Sequence, residues 1–347
     1  MKWWRPTLVL LVLLLTIIGI RYFLVRPDPA SVPVVVERTL MGTLWQIQVM
    51  PRGNDDRAGV EAVIQDAYRE LERIDSVMSE WRQDSPITAI NLNAGLGPVE
   101  VPEELAQIIR RSIEFSNATS GAFDISWRGA GQLYSLDEDF VPPDTEAIAE
   151  ALKVVDYRRI EVIGSNVGIP GGYSLGLGGI AKGYAIDQAA KVLLDAGYSN
   201  LLVNGGGDIL AFGTKGDRPW TIGIRAPRGT PEELMAKVRV AGAAVVTSGD
   251  YERFQLLDGV RYHHIIDPRT GRPAERTQSV TVIAAEAEKA DVLATAFFVL
   301  GSQRALELAS VYDVDTLIID SDGKAWMTEG FATQAEFQPE FIEKYSP

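Results

Sequence analysis

The sequence predicts a mixed fold of α-helices and β-strands in one large domain, behind a short apolar N-terminal segment. Three observations carry this expectation. From Asp56 to Met78, Val60, Val63, Ile64, Ala67, Leu71 and Ile74 recur at helical spacing, the pattern of a long amphipathic helix. From Leu175 to Asp187 the chain begins with glycines and turns helical, and Leu201 to Ile209 then reads as a buried strand, a glycine turn and a second strand. Beyond Asp208 the chain is strand-rich. A length of 347 residues exceeds one typical domain but fits one large one, and ordinary apolar content allows a sizeable core.

Taken in order, the N-terminus reads as a targeting segment. Lys2 and Arg5 precede an apolar run from Leu8 to Ile20, followed by Arg21, Tyr22 to Val25 and Arg26. The uncharged run is short for a full span and suits a signal sequence, but Trp3 to Val25 crosses a bilayer if its arginines snorkel. No small-x-small cleavage site precedes Pro27-Asp28-Pro29-Ala30, and no cysteine is present for a lipid anchor. The expectation is an uncleaved transmembrane anchor over residues 1–26, a linker and first strand over 27–37, and the main domain over 38–347. Lysine and arginine placement puts the N-terminus in the cytoplasm and the body on the outer face of a bacterial inner membrane.

Val34 to Glu37 and Thr43 to Val49 read as strands joined at Met41-Gly42. The helix from Asp56 ends at Ser79-Glu80-Trp81-Arg82-Gln83-Asp84-Ser85. A loop tryptophan such as Trp81 is either a packing anchor or a stacking platform for a planar ligand. Glu103 to Ser116 is a second amphipathic helix, leading to a turn and short strand at Thr119 to Ser126. Asp144 or Thr145 caps a helix reaching about Val154. Strands are expected at Ile160 to Ile163 and Tyr173 to Leu177, then a helix from Ala181 to Ala196. Further strands are expected at Trp220 to Arg225, Val238 to Val246, Phe254 to Leu257, Ser279 to Ala284, Thr316 to Asp320 and Ala325 to Thr328. Helices are expected through Leu300 and from Gln303 to Val311.

Composition narrows the chemistry. A net charge of -14 argues against a nucleic-acid surface and means an anionic substrate needs a local cation. The absence of cysteine excludes disulfides, thiolate metal sites and a cysteine nucleophile. Around Gly176-Leu177-Gly178-Gly179-Ile180-Ala181-Lys182, glycines permit close backbone approach, the first helical turn offers N–H groups to anions, and Lys182 adds a charge for a phosphate. The alternative is a tight packing turn. It is not a P-loop, since Gly-Lys-Ser/Thr is missing, and it matches the dinucleotide fingerprint only loosely. Both histidines of the protein are adjacent, His263 and His264, and in a strand they face opposite ways. Asp291 and Thr295 share one helical face and offer hard oxygen donors suited to Mg²⁺, unless their proximity is incidental.

Together these segments closely resemble the ApbE family, the FAD:protein FMN transferases. The carrying residues are Leu40-Met41-Gly42-Thr43, Ser79-x-Trp81-Arg82-x-Asp84-Ser85, Ser120-Gly121-Ala122-Phe123-Asp124 and Gly178-Gly179-Ile180-Ala181-Lys182-Gly183-Tyr184. They continue with Val203-Asn204-x-Gly206-Gly207-Asp208, Thr247-Ser248-Gly249, His264-Ile265-Ile266-Asp267-Pro268-x-Thr270-Gly271 and Ala290-Asp291-x-x-x-Thr295. The resemblance spans about Arg38 to Thr328 with the motifs in order. It implies an α+β fold with mixed, largely antiparallel sheets flanked by helices.

The resemblance also implies Mg²⁺-dependent splitting of FAD at its pyrophosphate. FMN is joined to a Thr or Ser of an acceptor protein, such as a subunit of a membrane redox complex, and AMP leaves. Met41, Trp81, Ala122, Phe123, Asp124, Lys182 and Ile266 match flavin-nucleotide contacts. Gly179 (through its carbonyl), Asp291 and Thr295 match the Mg²⁺ ligands. His264 matches the base that deprotonates the acceptor hydroxyl, with a phosphate hydrogen-bond donor as its alternative role. Two departures stand out. The family often has Asp where this chain has Gly176, which contributes backbone only. Trp81 is often Tyr, and the lost hydroxyl bears on transfer versus hydrolysis. FAD pyrophosphatase and non-catalytic flavin carrier are therefore the competing expectations.

Overall fold

The computed structural model describes residues 32–53 and 55–345. The expected anchor over Trp3 to Val25 lies outside the described residues. Among those described, no helix is long and apolar enough to cross a membrane.

An eight-stranded sheet divides the molecule. Its strands are β1 (Val34–Leu40), β2 (Thr43–Val49), β3 (Leu201–Gly205), β4 (Asp208–Phe212), β5 (Gly242–Gly249), β6 (Thr277–Ala284), β7 (Asp315–Asp320) and β8 (Ala325–Met327). They neighbour one another in chain order, and each pairing is antiparallel. Pleat alternation sorts the side chains to two faces. On β5, Ala244 and Val246 enter one core while Val245 enters the other. β6 is buried at every position, as a central strand covered on both sides must be.

Helices cover one face. α1 (Arg57–Met78) lies against β1, α2 (Glu103–Ala118) extends the same core, α3 (Ala181–Asp195) lies against β3, and α4 (Ala287–Leu300) lies across β5 and β6. Asp56 caps α1 by accepting from the Gly59 amide at 2.7 Å. The opposite face is covered by a smaller antiparallel sheet that includes Arg218–Arg225, Leu234–Val240 and Ala335–Phe337, packed with Phe331 and Phe341.

Three expected strands differ from the structure. Val238 to Val246 is two strands, Leu234–Val240 in the smaller sheet and β5 in the central one. The chain changes layer at Ala241, whose carbonyl accepts from the Gly213 amide at 3.1 Å. Ile125–Trp127 is a 3₁₀ turn, because the Asp124 carboxylate accepts from the Ser126 amide at 2.8 Å and caps it. Tyr173 to Leu177 is irregular, because its backbone pairs with a side chain. The Leu175 amide donates to Asn91 Oδ1 at 2.7 Å, and the Asn91 amide returns a bond to the Leu175 carbonyl at 3.0 Å.

Candidate active site

The site is built where α3 and α4 cross. A Cβ at Gly183 would lie 2.3 Å from the Ala287 carbonyl oxygen, so only glycine lets the two helices approach this closely. The approach brings Asp291 of α4 to the start of α3. Asp291 Oδ2 accepts from the Gly183 amide at 3.0 Å. The expected anion site at this helix N-terminus is thus partly filled from within, by the chain's own carboxylate. A second carboxylate locks the same crossing: Asp187 of α3 accepts from the Ala287 and Glu288 amides, each at 2.8 Å, at the start of α4. Burial pushes the Asp187 carboxyl up to about 6.

Thr295 lies one turn beyond Asp291 on α4. A Cβ at Gly179 would stand 3.2 Å from Thr295 Oγ1 and 3.2 Å from a ring carbon of Phe123, so these three residues meet. Lys182 ion-pairs with Asp208, which is buried at the start of β4 and also accepts from the Thr247 amide at 3.4 Å. Burial drives the Asp291 carboxyl upward, Lys182 draws it down, and Asp208 raises it further. Burial opposes the charge on Lys182, but Asp208 and Asp291 more than offset this and hold its ammonium above the usual range. A buried carboxylate with surplus negative charge beside it, a hydroxyl and a glycine backbone fit a hard divalent cation that keeps most of its water. Among the described residues no group of three or more His, Cys, Asp or Glu converges as a metal site, so the donor set that fits is this mixed one.

The two histidines separate, although the strand ends at His263 and His264 lies just beyond it. His263 ends the strand Val260–His263 and is buried against Phe298. Its Nδ1 accepts from the Ile265 amide at 3.3 Å, so Nε2 carries the proton and donates to the Ala274 carbonyl at 2.9 Å. His264 is exposed. Its Nδ1 lies 3.3 Å from the Arg253 carbonyl, an acceptor, so the proton sits on Nδ1 and Nε2 keeps its lone pair. Desolvation by the surrounding protein lowers its pKa, aided by His263, Arg253 and Lys182. The exposure of His264 moderates that shift, but its direction leaves the imidazole neutral near pH 7.

Met41 and Gly42 form a left-handed turn between β1 and β2, with φ of 51° and 73°. A Cβ at Gly42 would lie 4.0 Å from the Arg253 guanidinium, which places this turn beside the loop that holds His264. Trp81 is 79% exposed, which excludes a packing anchor, and the Arg128 guanidinium sits 5.3 Å from its ring centre. Ala122, Phe123 and Asp124 are buried. Both Asp124 oxygens are taken, one by Ser126 and the other by the Tyr157 amide at 3.0 Å, so this side chain shapes its loop. Ile266 packs with Tyr134 and Phe140 in a separate small cluster. The Gly176 amide donates to the Ile125 carbonyl at 2.8 Å. These contacts gather Phe123, Gly179, Lys182, Asp291 and Thr295, whereas Ile266 and the Asp124 carboxylate are engaged elsewhere. Sequence reasoning gave no role to Asp187 or Asp208. Both sit inside the glycine motifs, but their partners are remote in the chain.

Comparison with known proteins agrees with this architecture. The ApbE family model matches residues 41–318. A FAD:protein FMN transferase of Treponema pallidum is 36% identical over 84% of this chain and 85% of its own. One from Klebsiella pneumoniae is 32% identical over 88% and 90%. The crystal structure of an ApbE protein from Thermotoga maritima superposes with a TM-score of 0.80 at 32% identity, covering 87% of this chain and 99% of that one. A flavin transferase ApbE from Vibrio cholerae gives 0.78 at 28% identity, over 87% and 99%.

Proposed function

The chain belongs to the ApbE family and is a flavin transferase, and we propose that it moves FMN from FAD to a Thr or Ser of an acceptor protein, releasing AMP. The observation that carries the chemistry is the tautomer of His264. With Nδ1–H engaged by the Arg253 carbonyl, Nε2 is free to take the acceptor's proton. In the step proposed, the hydroxyl oxygen bonds to the phosphorus of the FMN half. The bond from that phosphorus to the bridging oxygen breaks, AMP leaves with the electron pair, and the proton goes to Nε2. The Gly179 carbonyl, the Asp291 carboxylate and the Thr295 hydroxyl would hold Mg²⁺. The ion would neutralise the pyrophosphate and the charge developing on it. Lys182, held cationic by Asp208, would offer its ammonium protons to the phosphates of the dinucleotide, whose charge the bound ion would offset. Met41, Trp81, Ala122, Phe123, Gly176 and Ile266 are proposed to contact the nucleotide through side chain or backbone, and Asp124 through its backbone.

Residues 38–347 are proposed as the transferase domain, held by residues 1–26 on the outer face of a bacterial inner membrane, where redox-complex subunits would be acceptors. FAD hydrolysis to free FMN and AMP is the second reading, favoured by Trp81, which stacks but offers no hydroxyl. Incubation with FAD, Mg²⁺ and an acceptor domain separates them. Flavin fluorescence that stays with the acceptor in a denaturing gel supports transfer. Free FMN alone supports hydrolysis. Intact FAD refutes both.

A further inference from the structure

Gly176 is glycine for want of space and not for its backbone angle. Its φ lies outside the left-handed region, so any residue could adopt it. A Cβ there, however, would stand 2.8 Å from Glu80 Oε2, 3.2 Å from Trp127 Nε1 and 3.4 Å from Arg128 Cβ. The glycine leaves room for the Glu80 carboxylate. Glu80 Oε1 pairs with Arg128 Nη1 at 3.0 Å, and the two side chains are only 11% and 17% exposed. Glu80 Oε2 is buried and has no hydrogen-bond partner among the described residues. Burial pushes this carboxyl up, opposed by the charge of Arg128 and by the Leu177 amide, which approaches the carboxylate without a well-aligned hydrogen bond to Oε2.

An unpartnered buried carboxylate oxygen is costly unless a donor arrives. Its surroundings say which donor fits. Trp81, the next residue, exposes a broad aromatic surface, and Arg128 ties Glu80 to that ring. Gly176 and Leu177 lead within a few residues to Gly179 and Lys182. A planar heterocycle stacked at Trp81 would place a ring N–H or amino group over Oε2 while its phosphates reach Lys182. On the flavin-transferase reading above, we propose that Glu80 binds FAD by accepting a hydrogen bond at Oε2 from one of its two ring systems. Arg128 is the positioning residue, and Gly176 is the gap that admits the carboxylate.

The test is calorimetric titration of the full chain with FAD, AMP and FMN separately, for the parent, Glu80→Ala and Glu80→Ala/Gly176→Asp. Loss of a charge-assisted bond predicts FAD binding weaker by roughly 10- to 100-fold in Glu80→Ala. The double variant returns a carboxylate to the same gap from its other wall. It should restore affinity to within about threefold. A deficit confined to AMP assigns the donor to adenine, and one confined to FMN assigns it to the flavin ring. Equal deficits for both fragments, or none for either, overturn the proposal. If Glu80→Ala fails to fold, the double variant decides: FAD affinity near the parent's supports the proposal, and a tenfold loss overturns it. A parent that binds no FAD overturns the transferase reading as well.

Discussion

Gly183→Ala tests whether the crossing of α3 and α4 sets the site. In a helix interior, alanine is intrinsically better than glycine by about 1 kcal/mol, so propensity alone predicts stabilisation. The structure predicts the reverse. The added Cβ would meet the Ala287 oxygen at 2.3 Å and Ala287 C and Glu288 Cα at 2.7 Å, all backbone atoms that cannot rotate away. Relieving the contact requires the helices to part by roughly 1 Å, since ordinary contacts begin near 3.5 Å. Overpacking of this kind costs about 1–3 kcal/mol, and the bond from the Gly183 amide to Asp291 is strained with it. The net expectation is a fall in Tm of roughly 3–8 °C by scanning calorimetry. Asp291 also shifts by a comparable distance, and displacement of this size at a catalytic centre can cost roughly 10²-fold in rate. An unchanged or raised Tm with an unchanged Mg²⁺ requirement would show that the crossing is not tight and that the geometric argument is wrong.

Two further outcomes are expected. Asp291→Ala should weaken Mg²⁺ binding by roughly an order of magnitude or more while the fold survives, since few protein ligands hold this ion. Magnesium titration of the transfer rate, with circular dichroism for the fold, checks it, and an unchanged Mg²⁺ dependence contradicts the assignment. On the mechanism proposed above, transfer needs His264 neutral, and desolvation by the surrounding protein lowers its folded pKa even though the residue is exposed. The neutral base therefore persists below the ordinary histidine value of about 6.5, and the rate should be nearly flat from pH 7 to 6 before falling. An acid limb centred at or above the ordinary value would mean that the base is another group or that His264 is not desolvated.

Much of this was legible where one element buries one face. α1 shows its core side in the spacing from Val60 to Ile74, and each of those side chains except Val63 is buried. Asp291 and Thr295 were placed on one helical face by spacing alone. What stayed hidden depends on partners distant in the chain. Val238 to Val246 looks like one strand because apolar residues continue across a change of layer, and a run buried in two cores looks like one buried in a single core. Tyr173 to Leu177 has strand-like alternation, yet Asn91 takes the place of a neighbouring strand. Lys182 could be read as a phosphate cation, but not as the partner of Asp208, because β4 meets α3 only in the folded molecule. Glu80 carries no pattern of its own, and its meaning lies in the gap at Gly176.

The most direct test of the central claim compares the parent with His264→Ala and His263→Gln in one reaction containing FAD, Mg²⁺ and an acceptor domain. Covalent FMN on the acceptor is measured by mass, AMP by chromatography, and FAD affinity by titration. The parent should form covalent FMN and AMP in equal amounts. His264→Ala should lose roughly 10²–10⁴-fold in transfer rate while still binding FAD. His263→Gln should retain transfer even if its buried bonds to Ala274 and Ile265 are weakened and its Tm falls. Equal losses in the two variants, or a His264→Ala enzyme that fails only because FAD no longer binds, would contradict the account.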